Sequence, residues 1–310
     1  MIKKLETLYK GFWQVADPKI WIASTVPMVL GVTLSAAFGK GFSLFWMILS
    51  FVGIYLIEIG KNAINECFDY ISGADTAVDS EHRTPFSGGK KTITEGILTL
   101  KQSAIIGATT MFFAAIIGLL IVYFRETSVI YIGIAGFILA AIYSLPPFKL
   151  CYRGLGEFAV GIAFGPLLLN GMYVVMAGRY DVLPVLVSLP IGFLITNVLW
   201  INQFPDYEAD ISAGKKNWVV RLGKKESVKV YAIIFILAYI AILAIAVYTL
   251  NPVWLIGLLT APLAAKAVKN CSINFNNITS LIQSNAATVQ TYMLNGILMV
   301  IAAIIDSLIL

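Results

Sequence analysis

The sequence predicts an all-α fold: a polytopic membrane protein with nine transmembrane helices around a central cavity. Three observations carry that reading. Of 310 residues, 59% are hydrophobic and only 13% are charged, against about 25% charged in ordinary soluble domains. The apolar residues gather into long runs almost free of charge, each near the roughly 20 residues with which a helix crosses hydrocarbon. The basic residues also sort by side. With the N-terminus cytoplasmic and the C-terminus outside, the outer loops hold only Lys40, Arg125 and Arg179, and Lys61 lies within a span. Every other Lys and Arg falls on the cytoplasmic side, where short loops carry the basic excess.

The first run, 19–37, follows a mixed segment with no short apolar core and no small-residue cleavage site. It reads as a retained span and not as a signal peptide. The second, 42–64, follows a minimal outer loop, Gly39-Lys40-Gly41, and leads into the polar stretch "KNAINECFDYISGAD". Runs 103–123 and 128–146 are joined by "RETS", and Pro146-Pro147 closes the latter because proline cannot continue a helix. Run 155–177 opens at Gly154 and Gly156, which permit a tight backbone turn, and "GRYD" links it to 182–203. Runs 228–249, 252–268 and 287–309 complete the set, the last broken only by Asp306 near its outer end. No low-complexity tract or heptad repeat divides the chain, so residues 1–310 read as a single domain.

The net charge of +5 invites a nucleic-acid reading, but the basic residues are scattered over several loops and form no dense stripe. Anionic headgroups and phosphate-bearing ligands are the expected partners, and no nucleic acid. Cys67, Cys151 and Cys271 all map to the cytoplasmic side without zinc spacing, so free thiols are expected. His82 is the only histidine, which excludes a multi-histidine zinc site; a solvated loop residue is its plainest reading.

Two inner loops, about 67–102 and 204–227, concentrate the charge and begin alike. One reads Asn65-x-x-x-Asp69, the other Asn202-x-x-x-Asp206-x-x-x-Asp210. Residues four apart share a helix face, so each copy predicts an oxygen-rich row, and the even number of spans between them puts both rows on one membrane face. Ser72-Gly73 and Gly214 are expected to end these helices. The first turn would then bring back Asp75, and Asp79 beyond it. Clustered carboxylates near a membrane need a counter-cation. Hard oxygen ligands favour Mg²⁺, which takes one or two carboxylates together with phosphate oxygens. Isolated acids would merely cap helix ends; two matched rows argue for a site.

Three further groups surround the rows. "YSLPPFKLCYRGLGE", 143–157, offers Lys149 as a point charge and Arg153 as a bidentate fork for phosphate oxygens, although both also fit as ordinary inside residues. "HRTPFSGGKK", 82–91, offers Arg83, Lys90 and Lys91 beside a Gly pair. Glu58 and Lys61 sit inside the second run, where a bare charge is costly. They pair with each other, or Lys61 holds an acidic acceptor.

"NECFDYISGAD" and "NQFPDYEADISAGKKNWVVRLG", with "YRGLGE" and "FGPLLLNG", resemble the UbiA superfamily of intramembrane aromatic prenyltransferases over most of the chain. The place of Asp75 in "SGADT", with "AGK" and "VRLG", is most similar to the 1,4-dihydroxy-2-naphthoate (menaquinone-type) branch. Pro205 and Asn217 depart from its pattern. The resemblance implies Mg²⁺ held by Asn65, Asp69, Asp75, Asn202, Asp206 and Asp210, bridging the diphosphate of an isoprenyl donor. It implies that Lys149 and Arg153, with Arg83, meet the diphosphate, that Tyr143 lies near the reacting carbon, and that an aromatic acceptor attacks the allylic cation. It also implies an integral protein of a prokaryotic cytoplasmic membrane with its active site facing the cytoplasm.

Two other classes share parts of this pattern. A secondary transporter would cluster its polar residues near mid-bilayer, where only Glu58, Lys61 and Asn170 lie. A membrane terpene cyclase would use the same donor site without an aromatic acceptor.

Overall fold

The computed structural model describes residues 2–73 and 90–309. Asp75, Asp79, His82 and Arg83 lie outside the described residues. Helix α1 (Ile2–Ala16) and a short 3₁₀ turn (Pro18–Trp21) lead into α2 (Ile22–Ala37) and α3 (Leu44–Ser72). There follow α4 (Leu100–Phe124), α5 (Val129–Ser144), α6 (Gly156–Ile162), a π turn (Ala163–Leu167), α7 (Leu168–Ala177) and α8 (Val182–Asn202). The short α9 (Tyr207–Ser212), α10 (Trp218–Thr249), a 3₁₀ stretch (Pro252–Thr260), α11 (Ala261–Asn274) and α12 (Ile278–Ile309) complete the chain. Among the described residues there is no strand.

Among the described residues, eight helical segments are long and apolar enough to cross a membrane. The predicted run 128–146 forms α5, which has 16 residues and is shorter than the others. The large apolar side chains of the spans face outward as well as inward: Phe112, Phe113 and Leu119 on α4 and Ile233, Ile236 and Ile240 on α10 are all exposed. A soluble protein rarely shows so much apolar surface; in lipid it is the expected exterior.

The inner core lies where α2, α7, α8, α10, α11 and α12 meet, around the fully buried Trp254, Tyr231 and Tyr292. Closest approach comes from small residues. A Cβ built on Gly165 would stand 2.8 Å from Gly192 Cα and from the Ser188 carbonyl, and one on Gly192 would stand 2.8 Å from the Gly161 carbonyl. Gly161-x-x-x-Gly165 thus lays its backbone directly on α8.

Two of the predicted stops close spans: α3 ends on Gly73, at φ 80°, and α5 ends at Ser144 before the proline pair. Several runs are longer than their apolar part suggests. α3 continues past 64 to Ser72, and α10 starts at Trp218, kinked where Gly223 adopts φ 75°. The mixed segment before the first span is itself a helix. Its Gly11 packs on Leu98, Val15 and Ala16 are buried, and Tyr9 and Trp13 face out. An ion pair between Lys90 and Asp17 and a bond from Gln14 Nε2 to the Lys90 carbonyl at 2.9 Å tie this end to the segment before α4.

Candidate active site

The polar ends of α3 and α5, the loop after α5, α9 and the segment after α9 assemble the site. On α3, Asn65 Nδ2 donates to Asp69 Oδ2 at 2.8 Å, so the predicted one-turn stacking is realised as a hydrogen bond. Ser144, the last residue of α5, donates to Asn65 Oδ1 at 2.6 Å and fixes the amide from the other side. Tyr152, from the loop after α5, donates its phenol to Asp69 Oδ1 at 3.1 Å.

The second row differs from the single helical stripe expected. α8 stops at Asn202 and α9 begins only after Asp206, because Pro205 has no N–H to give and disfavours a helical residue before it. Asp206 and Asp210 remain one turn apart, with the Asp210 N–H bonded to the Asp206 carbonyl at 2.8 Å. Asn202 faces another helix: Asn285 Nδ2, from α12, donates to its Oδ1 at 2.7 Å.

After α9 the chain reverses at Gly214, φ 70°, with the Gly214 N–H on the Ile211 carbonyl at 3.0 Å and the Lys215 N–H on the Asp210 carbonyl at 2.8 Å. This paired closure of a helix end needs a left-handed residue, which glycine supplies. It folds Lys215 back over the row. Lys215 Nζ lies 3.2 Å from Asp210 Oδ1 and 3.9 Å from Asp69 Oδ1. The two acidic rows therefore converge, sharing one ammonium.

Electrostatics follow from that convergence. Burial raises the Asp210 carboxyl above its ordinary range, against the pull of Lys215 and of Asn217, which donates to Asp210 Oδ2 at 2.7 Å. Burial would discharge Lys215, but Asp69 and Asp210 outweigh it and hold the ammonium well above its ordinary value. Burial pushes the neighbouring Cys151 thiol up to about 12, so it is neutral.

The loop of residues 145–155 packs against the segment after α9. The Lys216 N–H meets the Tyr152 carbonyl at 2.9 Å, and Arg221 reaches the Lys216 and Arg153 carbonyls at 2.7 and 2.8 Å. Gly154 makes this possible: at φ 72°, a Cβ there would meet Arg221 Nε at 3.0 Å and the Lys216 carbonyl at 3.1 Å. Lys149 Nζ and Lys215 Nζ stand 5.0 and 5.4 Å from the centre of the same Tyr152 ring. Arg153 instead donates to the Pro147 carbonyl at 2.7 Å within its own loop. Tyr143 lies at the end of α5 against Gly156, where a Cβ would stand 3.4 Å from its ring.

Deeper in the span, Lys61 pairs with buried Glu58 at 3.4 Å and faces the Phe164 ring at 5.8 Å. Phe164 belongs to the π turn, a local widening of a helix often found at functional sites. Sequence reasoning missed Tyr152, Lys215, Ser144 and Asn285. Of these, Lys215 follows a sequence landmark, the glycine stop at the end of the second row, which does not by itself say where the side chain goes.

Oxygen donors from the end of α3 and from α9 thus gather with a cationic side chain beside long apolar helices. The UbiA prenyltransferase family matches residues 24–271, and the chain belongs to that family. It is a prenyltransferase enzyme. It is similar to the 1,4-dihydroxy-2-naphthoate octaprenyltransferase of Bacillus subtilis, 26% identical over 304 residues spanning 97% of this chain and 94% of that one. It is also similar to the 2-carboxy-1,4-naphthoquinone phytyltransferase of Synechocystis, 26% identical over 299 residues and 92% of each chain. Its fold matches the solved structure of a UbiA homolog from Archaeoglobus fulgidus bound to DMAPP and Mg²⁺, with TM-score 0.67 and 14% identity over 94% of this chain and 99% of that one.

Proposed function

We propose that the chain transfers an isoprenyl group from an isoprenyl diphosphate to an aromatic acceptor of the 1,4-dihydroxy-2-naphthoate kind, with Mg²⁺. The observation that carries this reading is the convergence of Asp69 and Asp210 on one ammonium, which marks a place for positive charge between the rows. The naphthoate-type relatives support the acceptor class.

Asn65, Asp69 and Asp210 form an oxygen-only donor set, which suits a hard cation. Among the described residues no three His, Cys, Asp or Glu side chains gather around one point; the further acid would be Asp75, with Asn202 and Asp206 completing the second row. Bound there, Mg²⁺ would neutralise the diphosphate and favour its departure. The protein's own groups do the rest. Lys149, on the Tyr152 ring beside Asp69, meets the leaving diphosphate, with Asn65, Asn202, Arg153 and Arg83 as further contacts. The Tyr143 ring lies where the end of α5 meets α6 and gives the allylic cation an electron-rich face. The apolar helices house the hydrocarbon chain and keep water from the cation. Lys61, held by Glu58 and facing Phe164, takes an acidic group of the acceptor.

The same reading makes α5 the ninth crossing, in a single domain of residues 1–310 around a central cavity. The N-terminus and active site face the cytoplasm, and the C-terminus faces outward, in a prokaryotic cytoplasmic membrane. The distribution of basic residues supports this orientation.

The test is turnover by detergent-purified protein given Mg²⁺, an isoprenyl diphosphate and a panel of aromatic acceptors, read by pyrophosphate release and product mass. Expected are acceptor-dependent release, a prenylated naphthoate-derived product and loss of both on chelation. Release without any acceptor would point to a cyclase, and no turnover across the panel would overturn the reading.

A further inference from the structure

The positive charge between the two acidic rows comes from the chain itself. Lys215 Nζ reaches one carboxylate from each row, Asp210 Oδ1 at 3.2 Å and Asp69 Oδ1 at 3.9 Å. Its backbone is set by the Gly214 reversal, and the neighbouring Lys216 N–H is anchored on the Tyr152 carbonyl at 2.9 Å. The ammonium is therefore delivered to this position by the fold. A divalent ion between the same carboxylates would stand against that ammonium, and like charges so close repel.

The side chain has somewhere else to go. A lysine stem is flexible and carries a point charge, and Lys215 shares the Tyr152 ring with Lys149. Arg153 and Arg221 hydrogen-bond carbonyls of Pro147, Lys216 and Arg153 in the loops beside them. Lys149 and Lys215 thus share the ring whose phenol bonds Asp69, from which either can meet an incoming anion.

The geometry points to Lys215 as a tethered cation that bridges the acidic rows in the metal-free protein, is displaced by a divalent ion, and then turns to the donor's diphosphate oxygens beside Lys149. This inference rests on the metal-assisted reading proposed above.

The test uses the full-length protein in detergent with Mg²⁺ alone as the probe. Titration calorimetry on wild type, Lys215→Met and Lys215→Arg is expected to show Mg²⁺ binding at least tenfold tighter in Lys215→Met and nearly unchanged in Lys215→Arg. Metal-free Lys215→Met should melt earlier than wild type and recover with Mg²⁺. In wild type itself, an amine-acylating reagent followed by mass spectrometry should modify Lys215 severalfold faster at saturating Mg²⁺, a readout independent of whether the Met variant folds. Equal Mg²⁺ affinity in wild type and Lys215→Met, or acylation of Lys215 indifferent to Mg²⁺, would overturn the inference and leave the metal reading intact. Absence of Mg²⁺ binding in both proteins would overturn the two together.

Discussion

Asn65 and Asp69, one turn apart on α3, are joined by a 2.8 Å hydrogen bond in which the amide donates and the carboxylate accepts. Because Ser144 holds the Asn65 carbonyl in turn, the orientation of Asp69 is set by two helices. Asn65→Leu should leave the fold intact and lower turnover roughly 10- to 100-fold, the usual effect of removing a group that orients a ligand. Asp69→Ala should fall further, with melting still cooperative in detergent. Pyrophosphate release and thermal unfolding, measured side by side, check both.

Lys61 and Glu58 form their pair inside the second span, Lys61 one turn deeper on α3 than Asn65. Lys61→Met should raise the acceptor KM about tenfold or more, the scale of one lost charge-assisted hydrogen bond, while the donor KM stays put. Steady-state kinetics with a carboxylated and a carboxyl-free acceptor separate the two effects. An equal change in both acceptors would remove Lys61 from acceptor recognition.

Cys151 tests the electrostatics of the loop. Its thiol is pushed up to about 12 by burial, and a raised thiol is protonated at every pH below that value. Only the thiolate reacts, so at pH 8 its alkylation by iodoacetamide should be about a thousandfold slower than that of an unperturbed cysteine. Labelling followed by peptide mass spectrometry gives the rate, and a rate typical of a free thiol would mean the loop is open to water.

The contact between Gly165 and Gly192 tests the packing. Gly165→Ala places a Cβ 2.8 Å from Gly192 Cα, and since backbone stands on both sides it should cost about 1–3 kcal/mol. Gly118→Ala, at a helical site with nothing within 4 Å, should be neutral or slightly stabilising, because Ala exceeds Gly in helix propensity by about 1 kcal/mol. Melting temperatures in one detergent compare the pair.

What the sequence made legible follows from local physics. Long apolar runs produce helices regardless of their neighbours, and Gly73 and the Pro146-Pro147 pair end α3 and α5 by their own backbone chemistry. The Asn65–Asp69 and Glu58–Lys61 contacts lie within one helical turn and needed only periodicity. Contacts between distant segments were not legible. Lys215 read as one more inside charge because its destination depends on the Gly214 reversal and on Asp69 arriving from another helix. The broken second row was visible in Pro205, but periodicity alone passes over a proline. Asn285 sits in an apolar helix 83 residues from Asn202, and no local pattern joins them.

The shortness of α5 has a bearing on how the two ends of a donor are received. Its 16 residues extend about 24 Å at 1.5 Å per residue, while the oily layer is about 30 Å thick. On the proposed crossing, α5 would give out several ångströms early, and the loop bearing Lys149 and Tyr152 would start below the level of the headgroups. A molecule with a charged end and a greasy tail can then present the former to its binding groups while the latter stays dissolved sideways among lipid chains.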